Sequence, residues 1–498
     1  MLANARDIMP PALNSRPAVA QRGRTPFHLR PTTLDLQTPP LRERRPGAFV
    51  GVSIMRKSEL VSVATAQAAA VILFLCAAIV AGGSARVDAP SLIAVRIAAL
   101  VAIGAILLPT STQGLQGYLR VAALPIFVIG VLLVQLIPLP PQVWLSMPGH
   151  ALYAASAEVA GTPQPWRPWT LMPDATLETL LAMLVPIAAL FAAQWAPMAW
   201  FKRLPLALMM LAAMSAALAM FQIADGPESM LRWYPVSDND VGTGFLANRN
   251  HQGLLVSLGI PAAVWWAMQH RADRNRQTAQ LLISASVILL CSVGAVITQS
   301  RAAILWVAIA VALSALAALP AVVRSLQLRW LLGSVLGLTI LGCTLLTALP
   351  YDRLATHVQT DDRWSFWVTT FDMARTFFPF GVGGGSFVTA YPRFEPLSSL
   401  RPEYVNHAHN DALELIAEHG LIGLCLVAGL GWLVVRAAVD GWRAQTDSGT
   451  RIDCRYSGII ILLCALASLG DYPLRTPLLM MIFVILLMFN RRSLRRHS

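Results

Sequence analysis

NHAHNDALELIAEHGLIGLCLVAGLGWLVV, residues 406–435, decides how this chain is built. From residue 412 onward the stretch is apolar and long enough to cross the ~30 Å hydrocarbon layer of a bilayer as a helix, because each helical residue rises about 1.5 Å. The residues just before and inside its start are of another kind: His407 and His409, Asn406 and Asn410, and the carboxylates Asp411, Glu414 and Glu418. Ionisable groups are costly in hydrocarbon. Their concentration at the mouth of an apolar helix marks a place where a substrate carried by a lipid meets groups that donate, accept and move protons.

The rest of the chain repeats the apolar theme. Hydrophobic residues make up 56% of the 498 positions and charged residues 13%, with a mean hydropathy of +0.58. Soluble domains carry about 25% charged residues, so a soluble enzyme is excluded. Apolar runs of spanning length fall near 61–82, 90–109, 119–137, 177–195, 203–222, 250–268, 280–298, 302–323, 329–349, 412–435, 456–470 and 474–490. The expected fold is an all-α polytopic membrane protein with about 12 transmembrane helices of roughly 20 residues each. Basic residues collect in alternate loops and at both ends, for example Arg271, Arg274 and Arg276, Arg324 and Arg329, and Arg491, Arg492, Arg495 and Arg496. Loops rich in Lys and Arg stay cytoplasmic, which puts both termini inside. The net charge of +12 follows from this bias and from a basic N-terminal arm, so it argues for contact with membrane lipid and against nucleic acid as a partner.

Residues 1–58 are rich in Pro and Arg without apolar periodicity and read as a disordered cytoplasmic arm. Met55, followed by Arg56 and Lys57 and then the first span, is a candidate start of the chain. A transmembrane domain over 59–490 and a basic cytoplasmic tail over 491–498 complete the organisation. The cysteines fall in spans or, for Cys454, in a cytoplasmic loop, and suggest neither a disulfide framework nor a metal site. Outer loops at 138–176, 223–249 and 350–411 are long enough to carry function. The last alternates turn glycines (Gly381, Gly383, Gly384, Gly385) with aromatic residues such as Trp364, Trp367, Phe377 and Tyr391.

His409-Asn410, followed by Gly420-Leu-Ile-Gly423, resembles the histidine motif of the O-antigen ligase and polymerase superfamily. Further segments are similar to that family and stand in its order: IPLPPQVWLSMPG at 137–149, GTGFLANRNHQG at 242–253, TQSRAA at 298–303, GVGGGSF at 381–387 and DYPLRTP at 471–477. The resemblance runs from about residue 60 onward. It implies a GT-C-like membrane fold with the large 350–411 loop on the periplasmic side before the tenth helix. It also implies an inner-membrane enzyme that transfers a glycan from an undecaprenyl-diphosphate carrier to an acceptor by an inverting, metal-independent reaction, with no cofactor. The acceptor is lipid A-core if the chain is a ligase and another lipid-linked repeat if it is a polymerase. A protein O-oligosaccharyltransferase is a further option within the class.

By the same resemblance Arg301 corresponds to the arginine that binds the diphosphate and Arg249 to a second basic residue of that site. The chemistry suits them, since guanidinium is a planar, permanently charged fork for phosphate oxygens. The bland alternative for Arg301 is snorkelling to lipid phosphate. His409 is the expected catalytic residue, taking the acceptor's proton or holding its hydroxyl in line, and Asn410 can orient either partner. Arg363, Asp411 and Arg475 are expected at the substrate; Asp471 and Arg475 either pair with each other or line the donor cavity. His251 is a weaker supporting candidate. His407 and His409, on alternate residues, do not share a helical face and lack a Cys/His set at ligand spacing, so no metal site is expected. The GVGGGSF glycines suggest a sharp turn and not a nucleotide loop. A lipid-linked glycan flippase is the reading from another class. It would scatter charges within the spans, whereas here they gather at one face and in outer loops.

Overall fold

The computed structural model of the protein describes residues 57–234, 236–269, 274–322, 363–400, 404–443 and 447–495, together with Gly333 and Gly337. The chain divides into Met1–Met55 and Arg56–Ser498, and all described residues belong to the second unit. The N-terminal arm, the candidate start at Met55, the expected span at 329–349 and the 350–362 part of the large loop lie outside the described residues. A helix is already in place at Lys57 and runs to Ala81.

Among the described residues the regular structure is helical apart from one short ribbon, in which Pro138–Leu139 pairs antiparallel with Arg167–Pro168. Among the described residues seven helices are long and apolar enough to cross a membrane: Ser62–Ala81, Pro173–Trp195, Leu204–Asp225, Asn275–Ile297, Arg301–Leu319, Asp411–Arg443 and Pro477–Arg495. An eighth appears if Thr112–Val121 and Ala123–Gln135, bent by 73°, count as one broken span. Ser91–Leu107 is apolar but shorter. The segments expected as spans at 250–268 and 456–470 are helices, Arg249–Gln269 and Ser448–Ala467, yet stand outside that set.

The reason lies in where they sit. Arg249–Gln269 is the central helix, packed against Leu204–Asp225, Arg274–Ile297, Arg301–Val322 and Ser448–Ala467. Nearly every side chain on it is buried, including the polar His251, Gln252 and Ser257. A helix solvated by protein does not need a lipid-compatible surface, so it can spend positions on polar residues that hydrogen-bond internally. Gln252 accepts from Ser215 at 2.7 Å, and Ser257 donates to the Gly253 carbonyl at 2.6 Å. Close backbone approach lets the neighbours reach it. A Cβ on Gly253 would sit 2.3 Å from Ala303 Cβ, and one on Gly259 would sit 2.5 Å from Ala212 Cβ. Small residues at crossings are how apolar helices gain packing where lipid is as apolar as protein.

The described part of the large loop builds a second, smaller core from Met373, Phe377, Val382, Phe387, Tyr391, Ala408 and Ala417. Its helix Arg363–Phe377 lies against Asp411–Arg443. That long helix breaks at Gly420, whose φ is +56° and ψ −127°. The 379–385 turn fills the break. Val382 N–H donates to the Ala417 carbonyl at 3.0 Å, Gly383 N–H to the Glu418 carbonyl at 2.9 Å, and Leu421 N–H to the Pro379 carbonyl at 2.9 Å. Backbone groups released inside a membrane protein must be paired by protein, and here one turn pairs both sides of the break. Gly384 N–H goes to Gln135 Oε1 and Gly385 N–H to Glu418 Oε1, each at 2.9 Å. The glycine run is therefore a satisfied structural turn with its N–H groups already committed.

Candidate active site

The start of Asp411–Arg443 is held by side chains written into the same stretch. Asn410 Oδ1 accepts from Leu413 N–H at 3.0 Å and caps the helix. Glu414, fully buried, accepts from His407 Nδ1 and from Ala408 N–H, both at 2.8 Å. These bonds fix the 406–410 loop and force His409 into a left-handed backbone with φ +50°. Trp367 Nε1 donates to the His409 carbonyl at 3.2 Å, and the Phe366 ring stacks on the imidazole at 5.8 Å. A strained non-glycine residue braced on several sides is how a functional side chain is kept aimed.

His409 is aimed at Asp471, in the turn between Ser448–Ala467 and Pro477–Arg495. Its Nδ1 lies 3.4 Å from Asp471 Oδ1, and His251 Nε2 lies 3.7 Å from the same oxygen. Neither nitrogen reaches hydrogen-bond geometry, so these are polar approaches of the kind that tighten when a substrate closes a site. Asp471 also accepts from Asn250 Nδ2 at 2.8 Å and from Tyr472 N–H at 2.9 Å, and Arg363 approaches it at 3.5 Å. Burial acts to raise the Asp471 carboxyl, but the two facing imidazoles more than offset this and hold it well below the usual carboxylate range. A carboxylate only accepts, so the proton of neutral His409 belongs on Nδ1 and the lone pair on Nε2. His251 follows the same logic: its Nε2 proton faces Asp471 while Nδ1 accepts from the Thr476 hydroxyl at 3.0 Å.

Tyr472 packs its ring against three imidazoles, those of His251, His407 and His409, at 5.0, 4.3 and 4.9 Å. Burial, then the charge of Asp471, pushes its phenol up, so it stays protonated. Asn248 and Asn406 donate to its oxygen at 3.4 and 3.3 Å. Burial lowers the His407 imidazole despite Glu414 beside it.

Four helix N-termini meet around Asp471. Arg249 opens the central helix, and the next residue, Asn250, binds Asp471 and accepts from Ser300 Oγ at 2.7 Å. Ser300 Oγ accepts from Ala303 N–H at 3.1 Å and so caps the helix that Arg301 opens. Arg363 opens the loop helix, and Asp411 N–H donates to the Ser468 and Asp471 carbonyls at 2.9 and 3.3 Å. Each N-terminus offers the positive end of a helix dipole.

The structure thus brings His409, Arg363, Arg249 and Arg301 to one region through their elements. Asn410 is beside it as a helix cap. Arg475 and Asp411 face elsewhere: Arg475 does not pair with Asp471 but lies 3.3 Å from Asp411, 3.2 Å from Glu414 and 3.5 Å from Glu418. Burial works against its charge, yet these carboxylates raise its pKa. Tyr472 and Asn250 are site residues that sequence reasoning passed over, and it offered Asp471 only as a partner of Arg475 or a lining of the donor cavity, not as the carboxylate facing His409. The signal was a single carboxylate in a short turn between two apolar helices, where an ionisable group has to have a reason. Among the described residues no three His, Cys, Asp or Glu side chains are grouped as metal ligands.

Comparison with known proteins adds the family. A search of curated proteins finds no match to the chain. Residues 286–428 match the family model described as O-Antigen ligase. The matched stretch holds Arg301, Arg363, His409, Asn410 and Asp411 and is similar to the O-antigen ligase superfamily over that part of the chain, and the several membrane-crossing helices make the chain a multi-pass membrane protein.

Proposed function

We propose that the protein is an inverting, metal-independent glycosyltransferase of the bacterial inner membrane. It moves a glycan from an undecaprenyl-diphosphate carrier to lipid A-core, with both termini in the cytoplasm and the site facing the periplasm. The acceptor hydroxyl attacks the anomeric carbon from the side opposite the diphosphate. His409 Nε2 takes the hydroxyl proton as the new C–O bond forms, and Asp471 stabilises the imidazolium that results. The bond between the anomeric carbon and the diphosphate oxygen breaks, and the electron pair leaves with undecaprenyl diphosphate. Arg249, Arg301 and Arg363, with the helix N-termini they open, answer the charge that develops there.

The observation that carries this reading is the His409–Asp471 contact set among those N-termini: a base with its lone pair free, beside positive ends suited to a diphosphate. The test is the profile of surface and lipid-linked polysaccharide in a strain lacking the gene, complemented with wild type or His409→Ala. Loss of long chains from lipid A-core with accumulation on the carrier supports the ligase. Retention of a single repeat on the core assigns a polymerase. Full restoration by His409→Ala would remove the base from the mechanism, since a positioned general base contributes about 10²–10⁴-fold.

A further inference from the structure

A cavity of about 730 Å³ lies in the 138–173 segment, lined among others by Trp144, Tyr153, Ser156, Arg167 and Arg393. It is separate from the Asp471 cluster but joined to it through rings. Arg393 follows Tyr391, which packs on Phe366 at 6.4 Å, and Phe366 stacks on His409.

Both cavity arginines are held in place by neutral groups. The Arg167 guanidinium lies over the Trp144 ring at 4.7 Å and donates to the Tyr153 carbonyl at 3.2 Å. The Arg393 guanidinium lies over the Tyr153 ring at 4.6 Å and donates to the Leu152 carbonyl. Among the described residues neither takes part in an ion pair, although Arg86, Arg96, Arg363, Arg436 and Arg475 do. Each carbonyl contact uses one terminal nitrogen and leaves the other N–H donors of the fork uncommitted. The lining holds no carboxylate. Two oriented guanidiniums on aromatic beds and no carboxylate make a concave site short of one ligand: an anion with several oxygens, attached to something that fills the rest of the volume.

We propose that this cavity is a second binding site of the protein, for an anionic group carried on a carbohydrate, with Arg167 and Arg393 as its bidentate donors. The ring path to His409 makes it a subsite for the glycan engaged in transfer, a part of the proposal that rests on the transferase reading. Carboxylate of a uronic acid and phosphate on a sugar present the same chemistry, and the sources separate by experiment.

Purified full-length protein in detergent is titrated with three probes: a neutral gluco-oligosaccharide, an oligogalacturonate of the same length, and glucose 6-phosphate. Isothermal titration calorimetry reads occupancy, since the chain's 14 tryptophans leave intrinsic fluorescence without a single reporter. The expected result is binding of one or both anionic probes at least about tenfold tighter than the neutral one, weakened roughly tenfold or more by Arg167→Gln or Arg393→Gln and kept in His409→Ala. Arg167→Lys and Arg393→Lys keep the charge without the fork and fall between. Preference for oligogalacturonate assigns uronic acid, and preference for glucose 6-phosphate assigns phosphate. Equal binding of neutral and anionic probes, or binding indifferent to both arginines in variants that retain wild-type thermal stability, overturns the site. Because binding is read without turnover, failure of the transferase reading leaves this result standing. Transfer undiminished in an Arg167→Gln/Arg393→Gln strain would overturn the link to the glycan alone.

Discussion

Gly420→Ala tests the idea that the break in the long helix, by seating the 379–385 turn, holds the smaller core against that helix. A methyl at this position would meet the Pro379 carbonyl oxygen at 2.0 Å and its carbon at 2.5 Å, both backbone atoms that cannot rotate away. The residue's φ of +56° with ψ −127° is strained for any L-amino acid, worth about 1–3 kcal/mol. Relief requires the 379–385 turn to withdraw. That gives up the Leu421–Pro379 bond and weakens those from Val382 and Gly383, at about 1 kcal/mol each. The sum is roughly 3–6 kcal/mol, a large share of the 5–15 kcal/mol by which a folded domain is stable. Gly429 is the internal control: it lies in the same helix, and a Cβ there meets nothing within 4 Å. Gly429→Ala should hold or gain about 0.5–1 kcal/mol. The assay is the midpoint of heat-induced loss of monodisperse protein in detergent, read alongside polysaccharide transfer in complemented cells. Equal melting of the two variants, with transfer retained by Gly420→Ala, would refute the reasoning.

His150 is fully buried between Trp144 and Phe377 with neither ring nitrogen partnered, and burial lowers its pKa to about 4. The unfolded chain takes up a proton at this residue below about 6.5 while the folded protein does not, so stability is full above that pH and declines as pH falls from 6.5 toward 4; His150→Phe should flatten a thermal-stability profile across this window. Arg475→Met should cost roughly 3–5 kcal/mol by leaving buried Glu414 and Glu418 without their cation, with Arg475→Lys intermediate, measured by the same melting assay. Asp471→Asn should lower transfer by about 10²–10⁴-fold, and combining it with His409→Ala should add little because the two act as one unit; additive losses in gel-based transfer assays would separate them.

The fold class was readable because hydrocarbon is an unforgiving solvent: runs such as Leu421–Val435 have few other homes. The number of spans was less readable, since hydropathy does not distinguish a helix facing lipid from one facing protein, and Arg249–Gln269 is the second kind. In the site, His409 stood out through its neighbours along the chain, and those neighbours proved to be its scaffold: Asn410 caps, and Glu414 pins the loop. The partnership of Asp471 with His409 was hidden because its contacts, His251, Asn250 and Arg363, come from distant segments, and contacts of that range leave no spacing to read. Arg475 shows the same range of contact. Its nearest charge in sequence is Asp471, but its partners in space are Asp411, Glu414 and Glu418.

The placement of the other arginines carries a further argument. A cation at the first residue of a helix faces the positive end of the dipole, a position that costs up to about 1 kcal/mol and that sequences ordinarily fill with Asp or Glu. Arg249, Arg301 and Arg363 each occupy that position, on helices whose starts gather at one turn. The fourth start does carry an acid, Asp411, but Arg475 stands against it. Asp471 faces His251, His409 and Arg363. Asp471 answers Arg363 in part, and the three cations still stand at one turn against the positive ends of their own helices. On the proposed transferase reading, an arriving anion offsets the dipole costs of these cations, most of all when the charge on the leaving diphosphate is greatest.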